Sequence, residues 1–76
     1  MTRSVFSDDY DRFRSLLVSA RVDAGLTQAD LAERLSRPQS FVSKYERGER
    51  RLDVIEFLQV SQAIGVDPAE FLRRLL

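Results

Sequence analysis

The chain has 76 residues, with 12 basic and 12 acidic side chains, and it contains neither cysteine nor histidine. Its length predicts one domain, and its composition excludes a disulfide framework, thiolate or imidazole metal sites and the commonest general base. There is no apolar run of about 18 residues and no signal-peptide pattern, so we expect a cytoplasmic protein without a membrane span. Without a glycine-rich phosphate loop or a nucleophile–base pair, we expect no enzyme activity and no cofactor.

The charged residues are distributed unevenly, although the formal net charge is zero. The segment 34–51 carries a net charge of +4, whereas the segments before and after it each carry −2. Phosphate binding requires positive charge to be concentrated on one element in this way. The pattern is therefore compatible with a nucleic-acid partner in spite of the neutral total.

The N-terminal third predicts an arm followed by one long helix. Residues 1–6 show no periodicity and are expected to form a flexible arm, with a single domain over residues 7–76. Ser7 is a suitable N-cap for the first helix, and Gly25 is a suitable residue for its C-terminus. Between them, apolar side chains recur at helical spacing and are expected to pack in the core: Tyr10, Phe13, Leu16, Leu17, Ala20 and Ala24.

Two short helices joined by a tight turn are predicted over about residues 27–47. Thr27 can cap the first helix, with Asp30 reaching back in a capping box. The residues of that helix expected to face the core are Leu31, Ala32 and Leu35. Pro38 interrupts the helix, because the residue before a proline is disfavoured in the α region.

The second short helix is expected to start at Pro38 or Gln39 and to end before Gly48. It should bury Val42 and Tyr45 at positions i and i+3. The opposite face holds amide, hydroxyl and cationic groups and no carboxylate: Gln39, Ser40, Ser43, Lys44 and Arg47. Such groups can donate to base edges and phosphates in a major groove, but a solvated polar face would look the same. The residue pattern alone leaves both readings open.

Two further helices complete a predicted all-α fold of five helices. Asp53 and Glu56 are spaced as a capping box, and Gly65 should end the fourth helix. Its apolar positions are Val54, Ile55, Phe57, Leu58, Ala63 and Ile64. The last helix should start with Asp67 as cap, Pro68 at its first position and Glu70 completing a box. Its apolar residues are Phe71, Leu72, Leu75 and Leu76, of which Leu72 is expected to close the core.

The segment from Ala20 to about Leu72 resembles the helix-turn-helix domain of the Cro and phage-repressor type, the XRE family. The residues that carry the resemblance are Ala20-Arg21, Ala24-Gly25-Leu26-Thr27-Gln28, Leu31-Ala32, Leu35, Gln39 to Gly48, Leu58 and Ala63-Ile64-Gly65-Val66. The resemblance implies a five-helix lambda-repressor-like domain with a central helix-turn-helix. It also implies a sequence-specific double-stranded DNA-binding transcriptional regulator, a repressor or autoregulator, that binds a palindromic operator as a homodimer.

Individual roles follow from the resemblance and from side-chain chemistry. The family's base-contact positions match Gln39, Ser40 and Lys44, and its structural ion pair matches Arg21 and Glu46. We expect phosphate contacts from Gln28, Ser43, Arg47, Arg50 and Arg51. Ser36 stands where the family often has glycine. Whether Arg37, Pro38 or Phe41 touches DNA is left open.

The last helix offers more apolar surface than a small core needs, so Phe71, Leu72, Leu75 and Leu76 are expected to form a dimer interface. The alternatives are an interface on the first helix or a monomer. An alternative function is an antitoxin-like module that binds a partner protein as well as its operator. No small-molecule ligand and no metal is expected.

Overall fold

The computed structural model describes residues 5–76, with side chains from Asp8 onward. In this range the chain forms five helices and no strand, as the sequence predicts. The helices are α1 (Val5–Asp23), α2 (Gln28–Leu35), α3 (Gln39–Glu46), α4 (Val54–Ile64) and α5 (Pro68–Arg73). None of them is long and apolar enough to cross a membrane.

Helix α1 begins earlier than the capping pattern predicts. Its first residue is Val5, so Ser7 lies inside the helix and is not its N-cap. Residues 1–4 of the predicted arm lie outside the described part, while Val5 and Phe6 belong to α1. A capping residue marks a favourable start but does not prevent the backbone hydrogen bonds of a long helix from continuing one turn further upstream.

Two of the three predicted capping boxes are present. The Thr27 hydroxyl accepts from the Asp30 amide at 3.0 Å, and the Asp30 carboxylate accepts from the Thr27 amide at 2.9 Å. Asp53 and Glu56 pair in the same way at 2.7 and 3.0 Å. The predicted box at α5 is wrong: Asp67 caps the helix, but the Glu70 carboxylate accepts from Arg73, at 2.6 Å. A basic residue one turn away is a stronger partner for that exposed carboxylate than a backbone amide.

The core is assembled from one face of each helix around fully buried residues of α1 to α4: Leu17, Leu31, Val42, Tyr45 and Val60. An aromatic cluster closes one end, where Phe13, Phe57 and Phe71 pack with ring centroids 5.3 to 5.9 Å apart. This cluster joins α1, α4 and α5. The predicted burial of Val42 and Tyr45 on α3 is confirmed. Helix α3 therefore packs against the core through one side and leaves its other side exposed.

Two predictions about the last helices are wrong. On α4, Val54, Ile55 and Leu58 are exposed, because the helix buries the opposite stripe through Phe57, Val60 and Ile64. On α5, Phe71 and not Leu72 closes the core. In both helices several neighbouring residues are apolar, and only the rotation imposed by packing selects which of them faces inward.

Candidate nucleic-acid interface

The turn between α2 and α3 sets the direction of α3. Ser36 ends α2 in the left-handed region at φ 56°, and Arg37 N–H donates to Ala32 O at 3.0 Å. Pro38 follows in an extended conformation and precedes Gln39, the first residue of α3. The helix therefore starts at the later of the two predicted positions. Pro38 is its N-cap residue without a side-chain hydrogen bond.

The outward face of α3 has no carboxylate. Gln39, Ser40, Lys44 and Arg47 are exposed, and Ser43 is half-buried with its hydroxyl donating to Ser40 O at 3.3 Å. The only acidic residue of the helix, Glu46, is buried on the other side. The outward face therefore presents hydrogen-bond donors, amide oxygens and cationic groups, the chemistry that base edges and phosphates bind.

Glu46 is held by two arginines of α1. Arg21 binds its carboxylate with both ends of the guanidinium, Nε to Oε2 at 2.7 Å and Nη2 to Oε1 at 3.1 Å. Arg21 also donates to Leu26 O, and Arg14 donates to the backbone oxygen of Glu46 at 2.7 Å. These bonds fasten the C-terminal end of α3 to α1. Sequence reasoning missed Arg14, although its position seven residues before Arg21 places it on the same helix face.

A chain of hydrogen bonds runs from Glu46 to the exposed start of α3. Gln28 Nε2 donates to Glu46 Oε1 at 2.8 Å, and Gln39 Nε2 donates to Gln28 Oε1 at 3.5 Å. A carboxylate can only accept, so it orients the Gln28 amide, and that amide orients Gln39 in turn. Gln39 keeps its own oxygen and its second N–H for a ligand.

The basic residues expected to bind phosphate have partners within the chain. Arg47 pairs with Glu49 at 3.0 Å, and the Arg51 guanidinium lies 4.3 Å from the centre of the Tyr10 ring. Arg50 binds Glu56 with its two terminal guanidinium nitrogens, Nη1 at 2.9 Å and Nη2 at 2.6 Å. These hydrogen bonds lower the pKa of Glu56 to about 2, with the Asp53 amide as a second cause.

The sequence did not determine whether Phe41 packs in the core or contacts DNA, and in the structure it packs inward. It is buried, and the guanidinium carbons of Arg37 and Arg50 lie 4.3 and 4.9 Å from its ring centre. Arg37 also approaches Glu56, at 3.6 Å. Sequence analysis missed this cluster because it assigned Glu56 only to a helix cap.

The residues proposed as a dimer interface do not form one exposed surface. Phe71 is buried in the core, Leu75 is partly buried, and Leu72 and Leu76 are exposed. Arg12 of α1 donates to the carbonyls of Arg74 and Leu75 at 3.3 and 3.4 Å. Among the described residues, no cluster of three acidic side chains could hold a metal ion.

Comparisons with known proteins agree with this architecture. The Helix-turn-helix family model matches residues 17–71. A curated relative from Sinorhizobium fredii, the uncharacterized HTH-type transcriptional regulator y4dJ, is 38% identical over 50 residues, which cover 66% of this chain and 65% of the relative. The chain thus spans slightly less than two thirds of that relative's length.

Solved structures extend the similarity over nearly the whole chain. An XRE-family like protein from Pseudomonas syringae pv. tomato is 51% identical, with a TM-score of 0.92 over 95% of this chain and 88% of that one. The restriction-modification controller protein C.AhdI from Aeromonas hydrophila is 30% identical, with a TM-score of 0.76 over 84% of this chain and 97% of that one. With its central helix-turn-helix built as described, the chain belongs to the XRE family of helix-turn-helix proteins.

Proposed function

We propose that this protein is a sequence-specific double-stranded DNA-binding transcriptional regulator, acting as a repressor or autoregulator in the cytoplasm. The observation that carries the proposal is the outward face of α3, which presents donors and cations while Glu46 is buried against Arg21. The net charge of +4 over residues 34–51 supports it. So do the relatives, one named a transcriptional regulator and another a restriction-modification controller.

Base reading is assigned to Gln39, Ser40 and Lys44. Gln39 offers one acceptor and one donor side by side, which is the complement of the N6 and N7 edge of adenine. Its orientation is supported by the hydrogen bond to Gln28, so little freedom is lost when it binds. Lys44 is one turn further along α3 and can donate to guanine.

Phosphate contacts are assigned to Gln28, Ser43, Arg47, Arg50 and Arg51. The hydrogen bonds that Gln28 and Arg50 make to Glu46 and Glu56 hold these side chains in one orientation. A pre-oriented guanidinium keeps further N–H groups for a phosphate oxygen. Arg47 and Arg51 add charge at the end of α3 and in the loop that follows.

We further propose that the regulator binds a palindromic operator as a homodimer. One recognition helix reads only a few base pairs, and two copies related by a two-fold axis would read half-sites about 34–36 Å apart. The sequence suggested the C-terminal segment for this association, but Phe71 is buried there and Leu75 is partly buried, which leaves Leu72 and Leu76 as its exposed apolar side chains.

Selection of bound sequences from random duplex DNA tests the proposal. The wild type should yield a palindromic consensus. Gln39→Ala should lose preference at one base pair of each half-site, at a cost of about 1–3 kcal/mol per site. Ser19→Ala, which removes an exposed polar group on α1, is the control and should keep the consensus. Recovery of no consensus from the wild type would refute the proposed function, and an unchanged consensus for Gln39→Ala would refute its base contact.

A further inference from the structure

The outward surface of α4 has a composition unlike the rest of the protein. Val54, Ile55 and Leu58 are 72%, 62% and 43% exposed. Gln59 and Gln62 continue the same surface toward the C-terminal end of the helix. We call these five residues the α4 face. They share one side of the helix, because positions 54, 58 and 62 and positions 55 and 59 are four residues apart.

The α4 face carries no charge. The only ionisable residue of α4, Glu56, is buried and bound to Arg50. Charged residues make up 32% of the chain, so five neighbouring exposed positions without one are a distinct feature. Arg34 and Arg37 lie beside the C-terminal part of this face, where they line a groove with Gln59 and Gln62. Contiguous exposed aliphatic side chains on a small domain mark an interaction surface.

We propose that the α4 face is the surface through which two copies of this chain associate. A two-fold interface places the same patch on both sides, so each group must be compatible with its own copy. Aliphatic side chains meet this condition, and so does a glutamine amide, because it both donates and accepts hydrogen bonds. Charged groups do not meet it, since like charges would face each other near the axis.

The other exposed apolar side chains fit a symmetric interface less well. On α5, Leu72 is flanked by Arg73, which is paired with Glu70, and by Arg74. On α1, Val22 lies between Arg21, which is committed to Glu46, and the exposed Asp23. Neither surface offers successive uncharged helical turns, whereas the α4 face offers them from Val54 to Gln62.

The α4 face also leaves the proposed DNA-binding residues free. None of its five residues is among the side chains assigned to bases or phosphates. Helix α4 packs against α2 and α5. The inference specifies the interface of the proposed homodimer, but its test requires no DNA, so the two proposals can fail separately.

Sedimentation equilibrium of the full chain provides the first test. The wild type should be dimeric at tens of micromolar, and Ile55→Glu should weaken association at least 100-fold. Because Ile55 is 62% exposed, its replacement should leave the helical circular-dichroism signal unchanged. Leu72→Glu is the matched control on α5 and should remain dimeric. A monomeric wild type, a dimeric Ile55→Glu or a monomeric Leu72→Glu would overturn the assignment.

Disulfide cross-linking provides a test that does not depend on how well Ile55→Glu folds. The chain has no native cysteine, so single replacements report on one position each. Leu58→Cys, near the middle of the α4 face, should form a covalent dimer under mild oxidation, because a disulfide requires Cβ atoms about 3.5–4.5 Å apart. Val22→Cys and Leu72→Cys should remain monomeric on a denaturing gel. Faster cross-linking of either control than of Leu58→Cys would contradict the proposal.

Discussion

Ser36 is the residue at which the turn of the helix-turn-helix motif departs from ordinary backbone geometry. Its φ of 56° makes it the only non-glycine residue with a positive φ in the described part of the chain. A side chain at this conformation costs about 1–2 kcal/mol, which glycine avoids at the expense of a more disordered unfolded chain. The motif tolerates this cost at one position because α2 and α3 are both anchored in the core.

Ser36→Gly should therefore stabilise the domain by about 0.5–1 kcal/mol. Urea denaturation followed by circular dichroism measures the change. Ser36→Ala is the control and should show no such gain, since alanine suffers the same steric penalty. A destabilised Ser36→Gly variant would mean that the serine side chain has a stabilising role.

Tyr45 carries a buried hydroxyl that has no hydrogen-bond partner among the described residues. Its side chain is fully buried, and burial raises the pKa of the phenol above its ordinary value. A buried polar group without a partner is costly. Tyr45→Phe should thus leave the free energy of unfolding unchanged or raise it by up to about 1 kcal/mol. Thermal unfolding tests this, and a clear loss of stability would reveal a partner for the hydroxyl.

Helix α3 depends on α1 for its position. The Arg21–Glu46 pair that joins them is almost entirely shielded from solvent, with side chains 13% and 5% exposed. Removing one partner of such a pair leaves an uncompensated buried charge, which costs about 3–5 kcal/mol. The pair was expected from family resemblance, but its burial comes from the packing of α1 on α3, and its bond to Gln28 comes from the packing of α2 on α3.

Arg21→Ala should consequently lower the free energy of unfolding by about 3–5 kcal/mol, measured by urea denaturation. Arg21→Met combined with Glu46→Met should recover much of the loss, because no buried charge remains. Arg73→Ala is the control: it breaks a pair with Glu70 whose side chains are 67% and 70% exposed, and it should cost under about 0.5 kcal/mol. Similar losses for Arg21→Ala and Arg73→Ala would rule out the structural role assigned to Arg21.

The Glu56 carboxylate joins the N-terminus of α4 to the loop before it. Bonds from Arg50 and from the Asp53 amide lower the pKa of Glu56 from 4.5 to about 2. A lowered folded-state pKa contributes stability that is present above the unfolded value and is lost as the pH falls toward 2. Since Arg50 is 38% exposed, screening should limit the contribution to about 1–2 kcal/mol.

Glu56→Gln should remove this contribution while keeping a side chain that can cap the helix. The melting temperature of the variant should lie below that of the wild type at pH 6, and the two should converge between pH 5 and about pH 2. Glu49→Gln changes an exposed carboxylate and is the control. The difference between its melting temperature and that of the wild type should stay constant over this pH range. A constant difference between wild type and Glu56→Gln would contradict the assignment.

At the scale of the whole molecule, charge is separated although the total is zero. Within the 34–51 segment, Arg37 and Arg50 are held by the buried Glu56. The segment's own Glu46 is buried against Arg21 of α1 and does not face outward with the basic residues. A neutral protein can in this way retain a localised site for a polyanion.

Salt dependence of DNA binding measures that local field. Arg47→Gln and Arg51→Gln should each lower the slope of log K against log salt concentration by about one unit, because each removes one proposed phosphate contact. Fluorescence anisotropy with a labelled duplex over a series of KCl concentrations provides the measurement. Arg73→Gln on α5 should keep the wild-type slope. A changed base preference at constant slope would assign the residue to base reading.

Helix boundaries and caps were largely predictable, because their signals lie within three or four residues of each other. The box at Thr27 and Asp30, the break at Pro38 and the end of α4 at Gly65 all occur as expected. The start of α1 was mispredicted because a suitable cap residue does not stop a helix from extending upstream. The box at Glu70 was mispredicted because two local partners compete for its carboxylate. Glu70 could bond an amide or Arg73, and the pattern could not rank them.

The five helices, the helix-turn-helix and the polar outward side of α3 could be predicted from the sequence, since they follow from spacing, caps and turn residues. Which apolar residues are core depends on how the helices pack. Val54, Ile55 and Phe57 are equally apolar, but α2, α1 and α5 cover Phe57 and leave the other two exposed. The partners of Arg14, Arg50 and Glu56 also depend on packing, because contacts between distant residues form only once the helices are rotated against each other. The hydrophobic effect is not directional, so an apolar pattern alone does not specify that rotation.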